Sequence, residues 1–335
     1  MVWKLSRLSY LGSKRCMSTV TNDSVRQMKN DMFNKEKLRQ QSLITRIEKI
    51  EVKYDGVPSA SSLMMNRNLS TPYNCAMHIH EVLCQRCVLA EVNGHLWDMH
   101  RPLTENCELR LLNFHTAPSV LNKVFWRSCS FLLGLVIERA FKEEYFIDLH
   151  SWPKPNVQSG SYVYDADIGI PNWKPTTEEL KTFSAMLWKL SAEDHHFERL
   201  DVSQELAEEM FKHNRFKRQQ IPQLAVDGNV TLYRVKDHID ISFGPMIGST
   251  KFVGTTQVTA VHQLDNDCGY RFQALSIPKQ LTLNSFAFSV LADRAKKLNT
   301  TGLKSHDVSN SSLESDSLQE SDLSPESNSP QERAL

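Results

Sequence analysis

Two short runs of strand-forming residues joined by a tight-turn dipeptide constrain the fold of this chain more than any other feature. Residues 88–92 and residues 95–99 have the length and apolar content of strands, and Asn93-Gly94 separates them. Asn-Gly is a strong hairpin signal, because both turn positions need a positive φ that these residues tolerate. The sequence therefore predicts an antiparallel β-hairpin here, followed by another strand over residues 107–112.

The residues around this hairpin form a longer pattern. A helix is predicted to begin at Ser70 or Thr71, since a hydroxyl residue at the N-cap followed by Pro72 in the first turn is favourable. Residues 90–103 then follow the pattern Ala-x-Val-Asn-Gly-x-Leu-x-Asp-x-x-Arg-Pro-Leu. This order resembles the TGS domain, a small β-grasp module found at the N-terminus of threonyl-tRNA synthetase. The module has no catalytic residues of its own, so the resemblance implies a docking role.

Two further segments resemble the editing domain of the same synthetase, but their functional positions are altered. Residues 126–134 resemble the helix that carries a His-x-x-x-His pair in that family. Residues 240–247 resemble its Asp-x-Cys-x-Gly-Pro-His segment. In this chain the two histidines of the pair, the cysteine and the last histidine are replaced, in that order, by Arg127, Phe131, Ser242 and Met246.

These replacements remove the chemistry that a hydrolytic site needs. Histidines four residues apart share one helix face and can bind a metal or move protons. Arg127 stays protonated, and Phe131 neither coordinates nor titrates. Ser242 supplies a hydroxyl instead of a thiolate, and the thioether of Met246 is only a weak acceptor. We therefore predict no catalytic residue, no metal, no cofactor and no small-molecule substrate for this chain.

The resemblance to the editing domain continues over residues 119–295. Residues 160–165 match a Gly-x-Tyr-Tyr-Asp-like strand, and Thr176 opens a helix with a capping signature. Residues 208–221 resemble a family helix with an Asn-x-x-Lys ending, and residues 285–297 are predicted to form the last helix. The resemblance implies an α+β fold, in which a β-grasp TGS-like domain precedes an editing-like α+β domain.

Length and composition indicate the domain organisation. At 335 residues the chain is long enough for two ordinary domains with tails. No apolar run approaches the ~20 residues of a membrane span, so none is expected. The predicted segments are a mitochondrial transit peptide over residues 1–22, a basic helical arm over 23–55, the TGS-like domain over 56–117, the inactive editing-like domain over 118–298 and a disordered, acidic, Ser-rich tail over 299–335.

The two ends of the chain have opposite charge. Residues 1–60 contain 12 Lys or Arg against 6 Asp or Glu, whereas residues 301–335 contain 2 against 7. No acidic residue precedes Asp23, and a basic start with serines is typical of a mitochondrial transit peptide. Arg15 indicates cleavage near Ser18, and a disordered N-terminus is the alternative. Ser, Asn, Asp, Glu and Pro dominate the C-terminal tail, which predicts disorder because little apolar surface is available for burial.

The arm from Ser24 to Glu51 lacks Gly and Pro and is predicted to be helical. Its basic residues have two interpretations. They form a solvated face, or they lie on a phosphate backbone, where each neutralised phosphate releases counterions. The candidate RNA-binding residues are Arg26, Lys29, Lys35, Lys37, Arg39, Arg46 and Lys49.

The seven cysteines have no regular spacing, which is typical of reduced thiols inside a cell. Cys84 and Cys87 form a Cys-x-x-Cys pair just after His78 and His80, so zinc binding is an alternative to consider. A structural zinc site uses four ligands, usually from two separated pairs. Ordinary packing of a helix is therefore the preferred interpretation of this segment.

A mitochondrial N-terminus, a TGS-like module and an editing-like domain without its catalytic residues together resemble a family of mitochondrial large-subunit ribosomal proteins. This resemblance implies a structural component in the mitochondrial matrix, bound to the large-subunit rRNA and to neighbouring mitochondrial ribosomal proteins. Residues 61–300 contain 25 basic and 26 acidic residues, a balance that favours protein contacts beside phosphate contacts. The alternatives are a free-standing factor that hydrolyses mischarged tRNA, which would need new catalytic groups, and a tRNA-binding regulator outside the ribosome.

Overall fold

The structure is a computed structural model, and it describes residues 21–264 and 269–303. The predicted transit peptide over residues 1–22 and the predicted tail over residues 299–335 lie almost entirely outside the described residues. The described residues up to Gly302 belong to one compact unit.

Helix α1 (Asn22–Ser42) begins the described chain. Thr21 caps it, because the Thr21 side chain accepts a hydrogen bond from the backbone N–H of Ser24 and the Ser24 hydroxyl is bonded in return. The helix ends at Ser42, so the predicted helical arm is confirmed only over its first part. The prediction of helix up to Glu51 is wrong.

Strand β1 (Lys49–Tyr54) occupies the last part of the predicted arm. Its burial alternates, with Ile50, Val52 and Tyr54 inside and Lys49 and Lys53 exposed. Because successive strand side chains point to opposite faces, this pattern of period two is that of a half-buried strand. The absence of Gly and Pro permitted a helix, but the alternation decides the structure.

A β-grasp sheet follows the arm. After β1 come β2 (Ser61–Asn66), α2 (Pro72–Ile79), α3 (Glu81–Arg86), β3 (Leu89–Val92), β4 (His95–Trp97) and β5 (Cys107–Leu112). The strand order is β2-β1-β5-β3-β4, with β1 parallel to β5 and every other neighbouring pair antiparallel. One face packs on α2 and α3 around a core that includes Val52, Cys75, Ala90, Leu103 and Leu109.

The local predictions for this module are confirmed. Thr71 caps α2 through a reciprocal bond with Asn74, and proline opens the first turn. Strands β3 and β4 pair as a hairpin in which Val92 faces His95. Asn93 and Gly94 have φ values of 50° and 80°, as the two-residue turn requires.

The remaining elements form a larger α+β assembly. They are α4 (Pro118–Ala140), β6 (Asp148–Ser151), β7 (Tyr162–Asp167), α5 (Thr177–Ala192), β8 (Glu198–Ser203), α6 (Gln204–Met210), α7 (Arg215–Leu224), β9 (Asn229–Val235), β10 (His238–Ile241), β11 (Val253–Gln263), β12 (Tyr270–Pro278) and α8 (Ser285–Arg294). Two antiparallel sheets have the orders β11-β12-β7-β6 and β10-β9-β8. The predicted capping box at Thr176 is confirmed, whereas the predicted helix over residues 208–221 consists of parts of two helices, α6 and α7.

Helix α4 lies at the centre of this assembly. By length and composition it could cross a membrane, which differs from the expectation that no run is long enough. However, 78% of its most apolar window is buried inside the protein. Gly134 lies so close to Tyr164 that an added Cβ would come within 2.5 Å of the ring. The apolar sequence of α4 is therefore explained by its position as the core helix.

Apolar contacts join the β-grasp module and the arm to the larger assembly. Val88 and Leu89 of the module belong to the same buried cluster as Phe125 of α4. Phe33 of α1 is fully buried in a second cluster, which includes Leu232 of β9. Both junctions are continuous with the interior, so the three parts stabilise one another.

Candidate functional site

The structure brings together the two segments that carry the altered positions. Nη1 of Arg127, on α4, donates hydrogen bonds to the carbonyl oxygens of Gly244 and Pro245 at 2.5 and 3.2 Å. One residue further along α4, the Ser128 hydroxyl lies 3.5 Å from Sδ of Met246. The two segments that resemble the editing domain are therefore in direct contact.

Arg127 holds the chain after β10 and supplies no base. Burial lowers the pKa of Arg127, and the nearby Tyr233 and Asp98 partly oppose this effect. Its Nη1 is bonded to two backbone carbonyls, so the guanidinium acts as a clamp on this segment.

Phe131 fills the interior one turn further along α4. Its side chain is fully buried, and its ring makes edge contacts with Phe197 at 5.6 Å, with Trp152 at 6.4 Å and with His238 at 4.9 Å between centroids. Aromatic edge contacts stabilise a packed core. The position that holds a histidine in the editing family is here part of an aromatic cluster.

Ser242 and Met246 also have structural partners in place of catalytic ones. The Ser242 hydroxyl accepts a hydrogen bond from the backbone N–H of Gly244 at 3.2 Å. No imidazole or carboxylate of the described residues hydrogen-bonds to it, and a serine nucleophile needs such a base. Met246 is fully buried, and its backbone N–H donates to Oδ1 of Asp98 at 2.8 Å.

A buried ion pair lies beside these positions. Nζ of Lys217 lies 2.5 Å from Oδ1 of Asp240, and the hydroxyl of Tyr164 donates to Oδ2 of Asp240 at 2.5 Å. Burial lowers the pKa of Lys217 although Asp240 opposes the shift, and burial raises the pKa of Tyr164 well above its usual value. Each polar group in this trio is bound to another member, so the trio is a structural network.

A second buried ionic cluster joins α1 to α4 and corrects two of the predicted RNA-binding residues. Nζ of Lys29 lies 3.0 Å from Oε1 of Glu138, and Nδ1 of His238 lies 2.6 Å from Oε2 of the same carboxylate. Arg26 donates to the backbone carbonyl of Glu138 and pairs with Glu143. Arg26 and Lys29 are 8% and 5% exposed. The prediction placed both residues on the exposed face of the arm, but their side chains face the interior.

The other basic candidates lie at or near the surface. Lys37 pairs with Glu198 at 2.6 Å, and Arg39 pairs with Glu36 at 2.7 Å. Nζ of Lys49 is bonded to the side-chain oxygen of Asn66. Lys35 and Arg46 are exposed and form no ion pair with any residue that the structure describes. Phosphate binding by this group stays a prediction.

Asp98 joins the β-grasp module to the altered site, a role that sequence reasoning missed. Its two oxygens accept hydrogen bonds from the hydroxyl of Tyr233 at 3.0 and 2.9 Å, and Nη1 of Arg199 lies 3.6 Å away. Burial raises the pKa of Asp98, with Arg199 and the Met246 N–H opposing it. The only available signal was the Asp of the Leu-x-Asp motif, which did not reveal its partners.

The Cys-x-x-Cys segment belongs to the β-grasp core. The thiols of Cys84 and Cys87 are buried, and burial raises the pKa of Cys87 to about 11. Within residues 21–264 and 269–303, no group of three or more His, Cys, Asp or Glu residues is placed to hold a metal ion.

The fold and the site together define a class of protein: a β-grasp module followed by an editing-like domain whose reactive positions have structural partners instead. A family model described as the TGS domain matches residues 61–113. The chain is 49% identical over 277 residues to the large ribosomal subunit protein mL39 of Drosophila melanogaster, covering 80% of this chain and 83% of the relative. The chain therefore belongs to the mL39 family, as the resemblance predicted.

Threonine–tRNA ligases are more distant relatives. The chain is 31% identical to the cytoplasmic threonine–tRNA ligase 2 of Homo sapiens, over 56% of this chain and 22% of the ligase. It is 29% identical to a probable cytoplasmic threonine–tRNA ligase 1 of Dictyostelium discoideum, over 66% of this chain and 30% of the ligase. The chain spans less than a third of either ligase, and the predicted α+β relation to this family is confirmed.

Proposed function

We propose that this chain is a non-catalytic structural component of the large subunit of the mitochondrial ribosome, located in the matrix. It binds the large-subunit rRNA and neighbouring ribosomal proteins, and it supports mitochondrial translation through assembly instead of chemistry. The observation that carries the proposal is the state of the four altered positions in a member of the mL39 family. Arg127, Phe131, Ser242 and Met246 are each engaged in packing or in hydrogen bonds of the fold.

The shape of this domain and its chemistry are separate matters. A hydrolytic pocket needs a nucleophile or activated water with a base in hydrogen-bond reach. The described side chains at this site are a clamped guanidinium, a buried phenyl ring, a thioether and a hydroxyl bonded to the backbone. The side chains around this site are packed, so its interior stabilises the fold. The outer surface of the domain is what binds partners.

The domain organisation is part of the same proposal. Residues 1–22 act as the transit peptide and residues 299–335 as an acidic tail. The arm ends before Lys49, since Lys49–Tyr54 is a strand of the β-grasp sheet. The TGS-like module then extends to about residue 117, and the editing-like domain occupies residues 118–298.

Sedimentation tests the proposal. The tagged chain is expressed in cells, and an extract of their mitochondria is resolved on a sucrose gradient in moderate salt. A matrix enzyme is the soluble control. The expected result is co-migration of the tagged chain with the large subunit and its markers. A chain that stays at the top of the gradient with the matrix enzyme would contradict a stoichiometric ribosomal role.

A further inference from the structure

Three arginines converge where the β-grasp module meets the altered site. Arg199 lies 3.6 Å from Asp98 and 3.4 Å from the hydroxyl of Tyr233. Arg127 grips the carbonyls of Gly244 and Pro245 in the same segment whose Met246 N–H binds Asp98. Arg101 follows Asp98 by three residues, and its backbone N–H donates a hydrogen bond to the Asp98 carbonyl.

The positive charge of this junction exceeds the negative charge that balances it. Asp98 and Asp201 both pair with Arg199. Arg101 forms no ion pair with any residue that the structure describes, and burial followed by repulsion from Arg199 lowers its pKa although Asp201 and Asp98 oppose the shift. A partly buried guanidinium with no carboxylate in ion-pair contact favours an anion from outside, because such a site is less screened than one in open solvent.

Aromatic groups accompany these arginines. The guanidinium of Arg101 lies 3.6 Å above the ring of Trp97. Phe243 is 60% exposed although it lies next to Gly244, whose carbonyl Arg127 binds. An exposed phenyl ring on a segment that an arginine holds suits the binding of unpaired nucleotides, whose bases stack on aromatic rings while arginines contact the phosphates.

The segment that presents Phe243 is fixed in place. Gly244 has a φ of +68°, and a Cβ added there would lie 2.0 Å from the hydroxyl of Tyr233. That hydroxyl is itself bonded to the fully buried carboxylate of Asp98. The Tyr233 hydroxyl therefore holds Gly244 against a fixed partner, so the backbone that carries Phe243 is rigid. A rigid backbone reduces the conformational entropy that is lost when the ring binds a base.

We propose that the surface formed by Arg101, Arg127, Arg199 and Phe243, named here the junction surface, binds a single-stranded segment of RNA. This inference rests on the proposed function and specifies one rRNA contact. Phe243 stacks on one unpaired base, and Arg101 contacts the adjoining phosphate group. Arg199 keeps its pairs with Asp98 and Asp201, Arg127 keeps its bonds to the backbone, and both add positive charge.

Binding to a defined probe tests the junction surface directly. The full chain is titrated into a fluorescein-labelled oligouridylate of twelve nucleotides, and binding is measured by fluorescence anisotropy at two salt concentrations. Phe243→Ala and Arg101→Glu are each expected to weaken binding about fivefold or more, since stacking contributes ~1–3 kcal/mol per base. Two matched controls, Trp188→Ala at a 63% exposed aromatic residue and Arg218→Glu at an exposed arginine, should change binding less than twofold.

Three results would overturn the inference. They are equal losses for the control variants, equal binding of a duplex of the same length, and displacement of the RNA by an equal concentration of polyglutamate, which would indicate an acidic peptide partner. Ultraviolet crosslinking within isolated large subunits gives an independent test, in which the crosslinked peptide should contain Phe243. A chain that co-sediments with the large subunit but shows no such crosslink contradicts the junction surface and leaves the proposed function standing. A chain that does not co-sediment contradicts the proposed function itself.

Discussion

The interior around the altered positions and the exposed stretch from Lys35 to Arg46 carry similar basic residues with different partners. Inside, Lys29 and Lys217 are bonded to Glu138 and Asp240 of the same chain. Outside, Lys35 and Arg46 form no ion pair among the described residues. Charge in this chain therefore has two uses, since the buried Lys29 and Lys217 hold the fold together while the exposed Lys35 and Arg46 remain available for another molecule.

The aromatic replacement in the interior should have the largest effect on stability. Phe131→Ala removes a fully buried ring and leaves a cavity, so it should lower the free energy of unfolding by about 3–5 kcal/mol. Urea unfolding followed by circular dichroism measures the change. Phe286→Ala is the matched control, because Phe286 is 77% exposed and should change stability by less than about 0.5 kcal/mol. A similar small loss for Phe131→Ala would mean that the pocket is not filled.

The ion pair between α1 and α4 should have the next largest effect. Lys29→Met leaves the Glu138 carboxylate with one fewer buried partner, and the expected loss is about 3 kcal/mol. Lys35→Met, at an exposed lysine of the same helix, should change stability by less than about 0.5 kcal/mol. If the two variants behave alike, the contrast between interior and surface in α1 is not real.

The same cluster predicts a pH dependence. Burial opposes the ionisation of Glu138, but Lys29 and His238 outweigh burial and hold its pKa well below the ordinary value of 4.5. A depressed carboxyl pKa contributes stability that is present above 4.5 and is lost as the pH falls from there through the folded-state value. The stability difference between the wild-type protein and Glu138→Gln should therefore shrink below pH 4.5. A difference that is constant or grows on acidification would contradict this charge assignment.

Removing the clamp on the segment after β10 should have a moderate effect. Arg127→Met keeps most of the side-chain volume but loses the hydrogen bonds to Gly244 and Pro245, so the expected loss is about 1–3 kcal/mol. Thermal unfolding of this variant beside Arg218→Met, which alters an exposed arginine, measures the contribution. Equal melting temperatures for the two variants would remove the structural role assigned to Arg127.

The exposed basic residues should have the smallest effect on stability. Lys35→Glu, Arg46→Glu and Lys49→Glu in one chain should change the free energy of unfolding by less than about 0.5 kcal/mol. The same variant should enter the large subunit less efficiently than the wild-type chain at low salt, and this deficit should narrow as salt increases, since a chain that neutralises fewer phosphates has a shallower salt dependence. The fraction of the chain that sediments with the large subunit is measured at two ionic strengths for the variant and for the wild-type chain. Unchanged incorporation at both would exclude phosphate contacts by these three residues.

Local sequence signals predicted the helix caps and the hairpin turn, because short segments determine these features. The caps at Thr71 and Thr176 and the turn at Asn93 and Gly94 depend on neighbouring residues, and all formed as expected. The family pattern also indicated the two segments that meet at the altered site. In contrast, Lys29 finds its partner 109 residues away, in Glu138, and no local pattern specifies such a pairing.

The same limit explains the error in the arm. Its helix-compatible composition concealed the alternation of Ile50, Val52 and Tyr54, whose inward face is defined only by the sheet that β1 joins. Asp98 is a further case, since its motif was visible but its bonds to Tyr233 and Met246 depend on how the two domains pack.

Loss of hydrolytic chemistry is the central claim, and a deacylation assay tests it most directly. The purified full chain is incubated with mischarged tRNA, and release of the amino acid is compared with that in buffer and with that of Ser242→Ala. The expected result is that the wild-type chain and the variant both match buffer. Turnover by the wild-type chain that disappears in Ser242→Ala would contradict it.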